Sequence, residues 1–321
     1  ELDDRLFDLP RSRGRISESL GYQMWLGMIG GYSVYHHTVC VRMLPLKHAV
    51  SLTRFLRSRV SGLKRSYLLV FACFSLRKMI FIDCTNGAVL IFRGQNDFVK
   101  ATPEDHPGAV LLWLREHTRR LLDGIYEAKA LQPEAGSDTR GINLFPCRGP
   151  HCTTAVTNCV KITSSAVLMP EHSQGWAYSI RMRLLSPGEE GYKTESERGF
   201  KTCQLSDRHW IIKEEGKASP QDVRGKGVIG MYPILTEGGW ILNDESDPNF
   251  QYNRNSSLSE HKEERKEDFV YQSCSGRFRE GAEGHFSGDM NFVPGTVRDP
   301  TGTPFAVEVA RFPLYLPKFK Y

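Results

Sequence analysis

The stretch VRGKGVIGMYPIL, Val223 to Leu235, sets Gly225, Gly227 and Gly230 at the spacing G-x-G-x-x-G, with Lys226 between the first two. That spacing can hold a pyrophosphate. The glycines then follow a strand and open a helix whose N-terminal amides face the phosphates, and an acidic residue about 20 positions further on takes the ribose. The surroundings do not supply these parts. Pro233 removes an amide soon after the last glycine, and Gly238-Gly239 interrupts the run before a helix can form. Asp244, near the ribose distance, sits in a polar, loop-like tract. The glycines therefore read as the start or bend of a strand, where backbones approach closely. A second use is open to Gly225, Lys226, Gly227 and Gly230: an anion nest of backbone amides for a phosphate or pyrophosphate ligand.

Other reactive side chains do not assemble into a mechanism. CRGPHC carries Cys147, His151 and Cys152, but a structural zinc site needs a second ligand pair, which is not evident. His36 and His37 are adjacent, so on a strand they point to opposite faces. The chain has no H-E-x-x-H, EF-hand loop, phosphate loop or G-x-S-x-G elbow. Cys274 in YQSCSG has no base near it in sequence and reads as a half-buried, inert thiol. Arg54, Arg57, Arg59, Lys64 and Arg65 form a basic face without an aromatic stacking platform, so nucleic acid is not the expected partner. No catalytic residue, metal or cofactor is expected.

The elements that would position these residues fall into two groups. With 321 residues, 40% hydrophobic and 25% charged, the chain is long enough for two cored domains. Its net charge of +5 is spread along the sequence. The longest apolar run, YLLVFACFSL, is about half of a membrane span. Eight cysteines without a repeated C-x-x-C read as reduced thiols, which favours the cytoplasm or nucleus. The first residues lack both an apolar signal core and an initiator Met, and are read as the start of a fragment.

Residues 1–15 read as linker. Helical spacing predicts one helix from Leu46 to Leu63 and a second from Val110 to Ile125, the latter with Val110, Leu111, Leu114, Leu121, Leu122 and Ile125 on its apolar face. Between them, YLLVFACF, MIFIDC and AVLIF read as strands, the last two joined by a tight turn at Asn86-Gly87. Residues 128–157, rich in Gly and Pro, read as a linker between domains. Beyond it the period becomes two. In WAYSIRMRLLS, Tyr178, Ile180, Met182 and Leu184 face one way, and Ser179, Arg181 and Arg183 face the other. About seven such strands without a helix predict a β-sandwich. Residues 243–268, highly charged and nearly without aliphatic side chains, read as a disordered insertion.

Several motifs in order carry a resemblance for residues 158–321. They are Gln204-Leu205, Arg208-His209-Trp210, Val223 to Gly230 with Pro233 and Leu235, and FVYQSCSG. Gly284, Phe286, Gly288, Met290 and Phe292 continue the rhythm G-x-M-x-G-x-Y-x-F, with Phe286 and Met290 as replacements, and PFAVEVARFPLYLP closes it. This half resembles the ApaG domain, a fibronectin type III-like β-sandwich. The resemblance implies that the G-x-G-x-x-G belongs to a β region, and a core that includes Arg208, Trp210, Tyr271, Phe292 and Phe305. SLGYQMWLGMIGGYSVYHHTVCVRMLPL, the hairpin at Asp83 to Gly87 and the helix GAVLLWLREHTRRLLDGIY make residues 16–127 similar to an α+β SUKH (Smi/Knr-like) domain, truncated at its start.

SUKH followed by ApaG resembles F-box proteins with a C-terminal ApaG domain, including the plant SKP-interacting type. The resemblance implies the substrate-recognition part of a cullin–RING ubiquitin-ligase receptor (SCF type), not an enzyme. Its partners would be a substrate protein, and the Skp adaptor and cullin through an F-box that this sequence does not contain.

Overall fold

The computed structural model describes residues 28–60, 62–94, 97–131, 140–242, 266–274, 278 and 282–321. The expected linker at 1–15, the first residues of the expected SUKH-like domain and nearly all of the charged insertion lie outside them.

The N-terminal half is built on β1 (Gly30–Val34), β2 (His37–Met43), α1 (Leu46–Arg57), β3 (Tyr67–Ala72), β4 (Met79–Asp83), β5 (Val89–Gly94), β6 (Asp97–Lys100), α2 (Ala109–Leu122), β7 (Glu127–Ala130) and β8 (Arg140–Asn143). The strands form one sheet in the order β6-β5-β4-β3-β2-β1-β8-β7. Near-continuous apolar runs such as MIFID suit strands covered on both faces. Ile80 and Ile91 enter the core shared with α2, while Phe81 and Leu90 enter the core under α1. Helix α1 is tied to the sheet by a polar stitch: Thr53 Oγ1 donates to Ala49 O at 2.6 Å and accepts the Leu69 amide at 2.9 Å. The Asn-Gly turn joins β4 to β5. Gly87 lies at φ +77°, and a Cβ there would meet His106 O at 2.2 Å, so only glycine fits.

Helix α2 meets the sequence expectation in part: Val110, Leu114, Leu121 and Ile125 pack against the core, beside a fully buried row that was not expected. Ala109, Trp113 and His117, four residues apart, point inward, while Leu111 and Leu122 are exposed. The face bearing the large Trp113 ring buries more apolar area than the leucines on the opposite side. Residues 128–157 also differ. Instead of a free linker they supply β7, β8 and β9 (Cys152–Thr157), and β8 docks parallel to β1 with Asn143 opposite Gly31.

The C-terminal half is a two-sheet sandwich. One sheet has the order β16-β11-β10-β9, with β10 Val160–Leu168, β11 Trp176–Leu184 and β16 Phe269–Ser273. The other has the order β15-β14-β12-β17-β18, and β13 pairs with β12. Its members are β12 Cys203–Glu214, β13 Gln221–Lys226, β14 Ile234–Thr236, β15 Gly239–Ile241, β17 Gly284–Pro294 and β18 Phe305–Leu314. Between the sheets, Tyr178, Trp210 and Phe286 pack ring to ring with centroids 4.8–6.0 Å apart. The expected seven strands omit β9, β14 and β15. Strand β9 alternates weakly, and the other two have three residues each. The single turn of helix α3 (Glu195–Arg198), held by a capping box between Thr194 and Glu197, was likewise not expected.

The two halves share a core. Val167, Met169 and Ala177, on the outer face of the β16-β11-β10-β9 sheet, pack with Ile29, Tyr32 and Phe145 of the N-terminal half. Tyr321 stacks on Trp113 at 4.9 Å, and the Trp113 indole donates to Lys320 O at 2.7 Å. Beside this seam lies a buried ion cluster. Lys78 Nζ is 3.4 Å from Glu171 Oε2 and 3.0 Å from Tyr32 Oη. Lys78 also donates to Tyr321 O. His37 Nε2 is 3.1 Å from Glu171 Oε1, which also accepts the Tyr32 hydroxyl. Burial pushes the Glu171 carboxyl up, but Lys78, His37 and Tyr32 outweigh it and hold the pKa at about 2.

Candidate functional site

In the glycine turn two amides and two carbonyls are engaged by the protein's own groups. Gly225 and Lys226 end β13, pairing with Arg208 and Asp207 of β12. Gly227 follows at φ +54° and Gly230 lies at φ +79°. A Cβ on Gly227 would meet Met231 O at 2.6 Å. The Gly227 amide donates to Ser206 O at 2.9 Å, and the Val228 amide donates to Met231 O at 2.9 Å. Val228 and Met231 plug the sandwich core. The outward groups are carbonyls: Arg208 Nη1 donates to Gly227 O at 2.6 Å and to Lys226 O at 3.3 Å. An anion nest needs free amides converging on a ligand. Here Gly227 and Val228 have spent theirs, and a cation already serves the carbonyls.

Arg208 is consequently a half-buried clamp on the turn and not a core residue, because its charged head stays at the rim where these carbonyls need it. Phe305 is half-buried at the sandwich end, stacked on Phe200 at 5.2 Å. Trp210, Tyr271 and Phe292 lie inside, at 0%, 1% and 0% exposure.

The remaining reactive side chains are separate. Cys147, His151 and Cys152 form no metal-ligating group, and none exists among the described residues. All eight cysteines are free, and burial pushes the Cys274 thiol up, away from the reactive thiolate. At the end of α1, Arg57 donates to Arg65 O at 2.6 Å, and the Arg59 guanidinium lies 3.6 Å over the Phe55 ring, so these two of the face's five cations are engaged locally. No helix among the described residues is long and apolar enough to cross a membrane.

A cavity of about 350 Å³ opens where the two halves meet. Its floor follows from strand register. In antiparallel strands, directly opposed residues share a face. Ser165 of β10 faces Ser179 of β11, which faces Gln272 of β16. One step along β11, Arg181 stands between Thr163 and Val270. In the other direction the row is Val167 and Ala177, sealed under the N-terminal half. The outer face of this sheet thus changes from apolar and covered to polar and open, and the cavity begins at that change. Asn143 and Phe145 line it from the N-terminal half, and Trp240 and Leu242 from the end of the sandwich.

The floor is buried yet polar. Ser165, Ser179 and Gln272 are 0%, 4% and 1% exposed. Gln272 Oε1 accepts the Ser33 amide at 3.2 Å, which ties the floor to β1. Among the described residues, Gln272 Nε2 and Ser165 Oγ have no hydrogen-bond partner. The sequence signal for this site was the polar face of WAYSIRMRLLS, read there only as the outer side of a strand.

Residues 168–263, which include the glycine turn, Ser179 and Arg181, match the family model of the ApaG domain. The chain contains an ApaG domain. "F-box protein SKIP16" of Arabidopsis thaliana is 33% identical over 327 residues, covering 95% of this chain and 66% of that protein. "Protein ApaG" of Bradyrhizobium sp. (strain ORS 278) is 33% identical over 88 residues, covering 26% of this chain and 58% of its own. The chain thus spans just under two thirds of the first relative and aligns with a little over half of the second. A solved chain from Bordetella pertussis aligns over 50% of this chain and 94% of its own at 23% identity, with a TM-score of 0.31. The ApaG match begins at the end of β10 and stops short of β16, so Ser165 and Gln272 lie outside the matched segment.

Proposed function

We propose that the chain is the substrate-recognition region of an F-box receptor in an SCF-type cullin–RING ubiquitin ligase, with no catalytic site of its own. In this reading residues 16–127 are the SUKH-like domain, β7 and β8 pair onto its sheet, and the ApaG sandwich of residues 158–321 follows. Skp adaptor and cullin are engaged through an F-box elsewhere in the protein. The observation that carries the reading is the alignment of nearly the whole chain, both halves together, with a relative named as an F-box protein. The geometry agrees with it in kind: a cavity with polar lining at the junction suits binding.

The test couples capture to turnover. The chain is used as bait in proteasome-inhibited cells, and the half-lives of captured proteins are compared with and without the gene that encodes it. At least one captured protein is expected to live severalfold longer in its absence. Captured proteins whose half-lives are all unchanged would defeat the reading.

A further inference from the structure

Strand β18 ends at Leu314, and residues 315–321 run on without helix or strand to the N-terminal half. Tyr315, Leu316 and Lys318 are exposed, whereas the last three residues are seated: Phe319 packs half-buried against the shared core, and Tyr321 is buried. The seat has two parts. The first holds main chain. The Lys320 amide donates to Ala101 O at 3.0 Å, and the Lys320 carbonyl accepts the Trp113 indole at 2.7 Å. The Tyr321 carbonyl accepts Lys78 Nζ. The second part is a slot for the Tyr321 ring beside α2. The ring stacks on Trp113 at 4.9 Å and meets Tyr126 edge-on at 6.1 Å, with the Arg120 guanidinium 5.0 Å over its face. Its hydroxyl donates to Trp113 O at 2.9 Å.

This is the division of labour in peptide recognition: main-chain hydrogen bonds supply affinity whatever the sequence, and a pocket reads one side chain. All these partners belong to the N-terminal half, while the segment continues the other half and enters neither of its sheets. We infer that the N-terminal half carries a binding site for a linear, tyrosine-bearing peptide, that residues 319–321 fill it as an intramolecular ligand, and that a partner peptide of this chemistry binds by displacing them. Tethering makes modest contacts sufficient. A short linker holds its ligand at an effective concentration of about 1 mM, so an intrinsic dissociation constant of about 0.1 mM keeps the segment docked roughly nine-tenths of the time. The ring slot and the Trp113 carbonyl select tyrosine. None of the site's residues lines the junction cavity, and the site stands or falls without the receptor reading.

The test is fluorescence anisotropy of a labelled hexapeptide amide with the sequence of residues 316–321, LPKFKY, titrated with the 321-residue chain as wild type, Tyr321→Ala and Lys320→Pro. Tyr321→Ala empties the slot, and Lys320→Pro keeps the ring but removes the amide that Ala101 O accepts. Each variant is expected to bind the peptide about tenfold more tightly than the wild type, whose own segment competes at an effective concentration of about 1 mM. A peptide with Ala in place of its Tyr should bind the variants about tenfold or more weakly, because the buried aromatic anchor carries most of the energy. Phe in that place loses the hydrogen bond to the Trp113 carbonyl and should weaken binding severalfold. Bound peptide should also raise the melting temperature of Tyr321→Ala toward that of the wild type. Folded variants that bind no peptide, equal binding by wild type and variants, or equal binding of the Tyr and Ala peptides would each overturn the proposal. If Tyr321→Ala does not fold, Lys320→Pro carries the same comparison. Loss of the cooperative melting transition in both variants would make the segment an inseparable part of the core and overturn the proposal as well.

Discussion

The glycine turn and the junction cavity are opposites. The turn carries a recognisable motif, yet the Gly227 and Val228 amides and the Lys226 and Gly227 carbonyls bond to the protein's own groups. The cavity carries no motif, yet its floor keeps Gln272 Nε2 and Ser165 Oγ unspent in a buried setting. A motif states which residues stand near one another in sequence. Binding depends on which polar atoms remain available after folding, and that is decided by strand register and by what covers each face.

Substitutions can break this contrast, beginning with the largest effect. Trp210 pairs with Val223 at the base of the turn and fills the sandwich core, so Trp210→Ala should cost about 3–5 kcal/mol in a denaturant titration. An unchanged midpoint would remove the core on which the turn rests. Glu171→Ala leaves Lys78 buried beside Tyr32 without its carboxylate and should cost a comparable ~3–5 kcal/mol. The same cluster gives a pH dependence with a definite sign. Glu171 titrates at about 2 in the folded chain, below its unfolded value of about 4.3, so its stabilisation is fully present above that value. It is lost as the pH falls toward 2. Melting temperatures of the wild type and Glu171→Gln should therefore converge on acidification, and parallel curves would contradict the assignment.

Gly227→Val forces a β-branched side chain into φ +54° against Met231 O and should cost about 1–3 kcal/mol, with no phosphate-dependent melting shift in either protein. A millimolar-phosphate shift lost in the variant would restore the nest. The smallest effect sharpens the contrast most. Ser165→Ala should change stability by less than about 1 kcal/mol, because the hydroxyl it removes has no partner to lose. A loss of about 2 kcal/mol would mean that the floor's polar atoms are already committed.

Much of the fold was legible wherever local pattern and tertiary environment agree. Alternation in β11 and β18, the helical spacing of α1 and the Asn86-Gly87 turn each point to the element observed. The errors arise where distant partners decide. Residues 140–143 have a loop-like composition, but Gly31 of β1 offers β8 a parallel edge, and pairing follows. Leu111 and Leu122 fit a helical stripe, but Trp113 is the residue that turns inward. Arg208 stands beside Trp210 in a strand and is drawn outward by the carbonyls of Lys226 and Gly227. The cavity floor was out of reach for the same reason. Ser165, Ser179 and Gln272 come from three strands, and their alignment is visible only in the register. That a cavity opens over the polar face of β11 depends on an N-terminal half whose contacts no local pattern encodes.

Recognition that resides in the cavity and not in the glycine turn can be separated from its opposite by substitution. The most direct measurement compares capture of turnover-dependent proteins by three versions of the chain: wild type, Arg181→Glu at the cavity and Lys226→Glu at the turn. The prediction is that Arg181→Glu loses those proteins while Lys226→Glu, on the exposed tip of β13, retains them. Retention by Arg181→Glu together with loss by Lys226→Glu would contradict it.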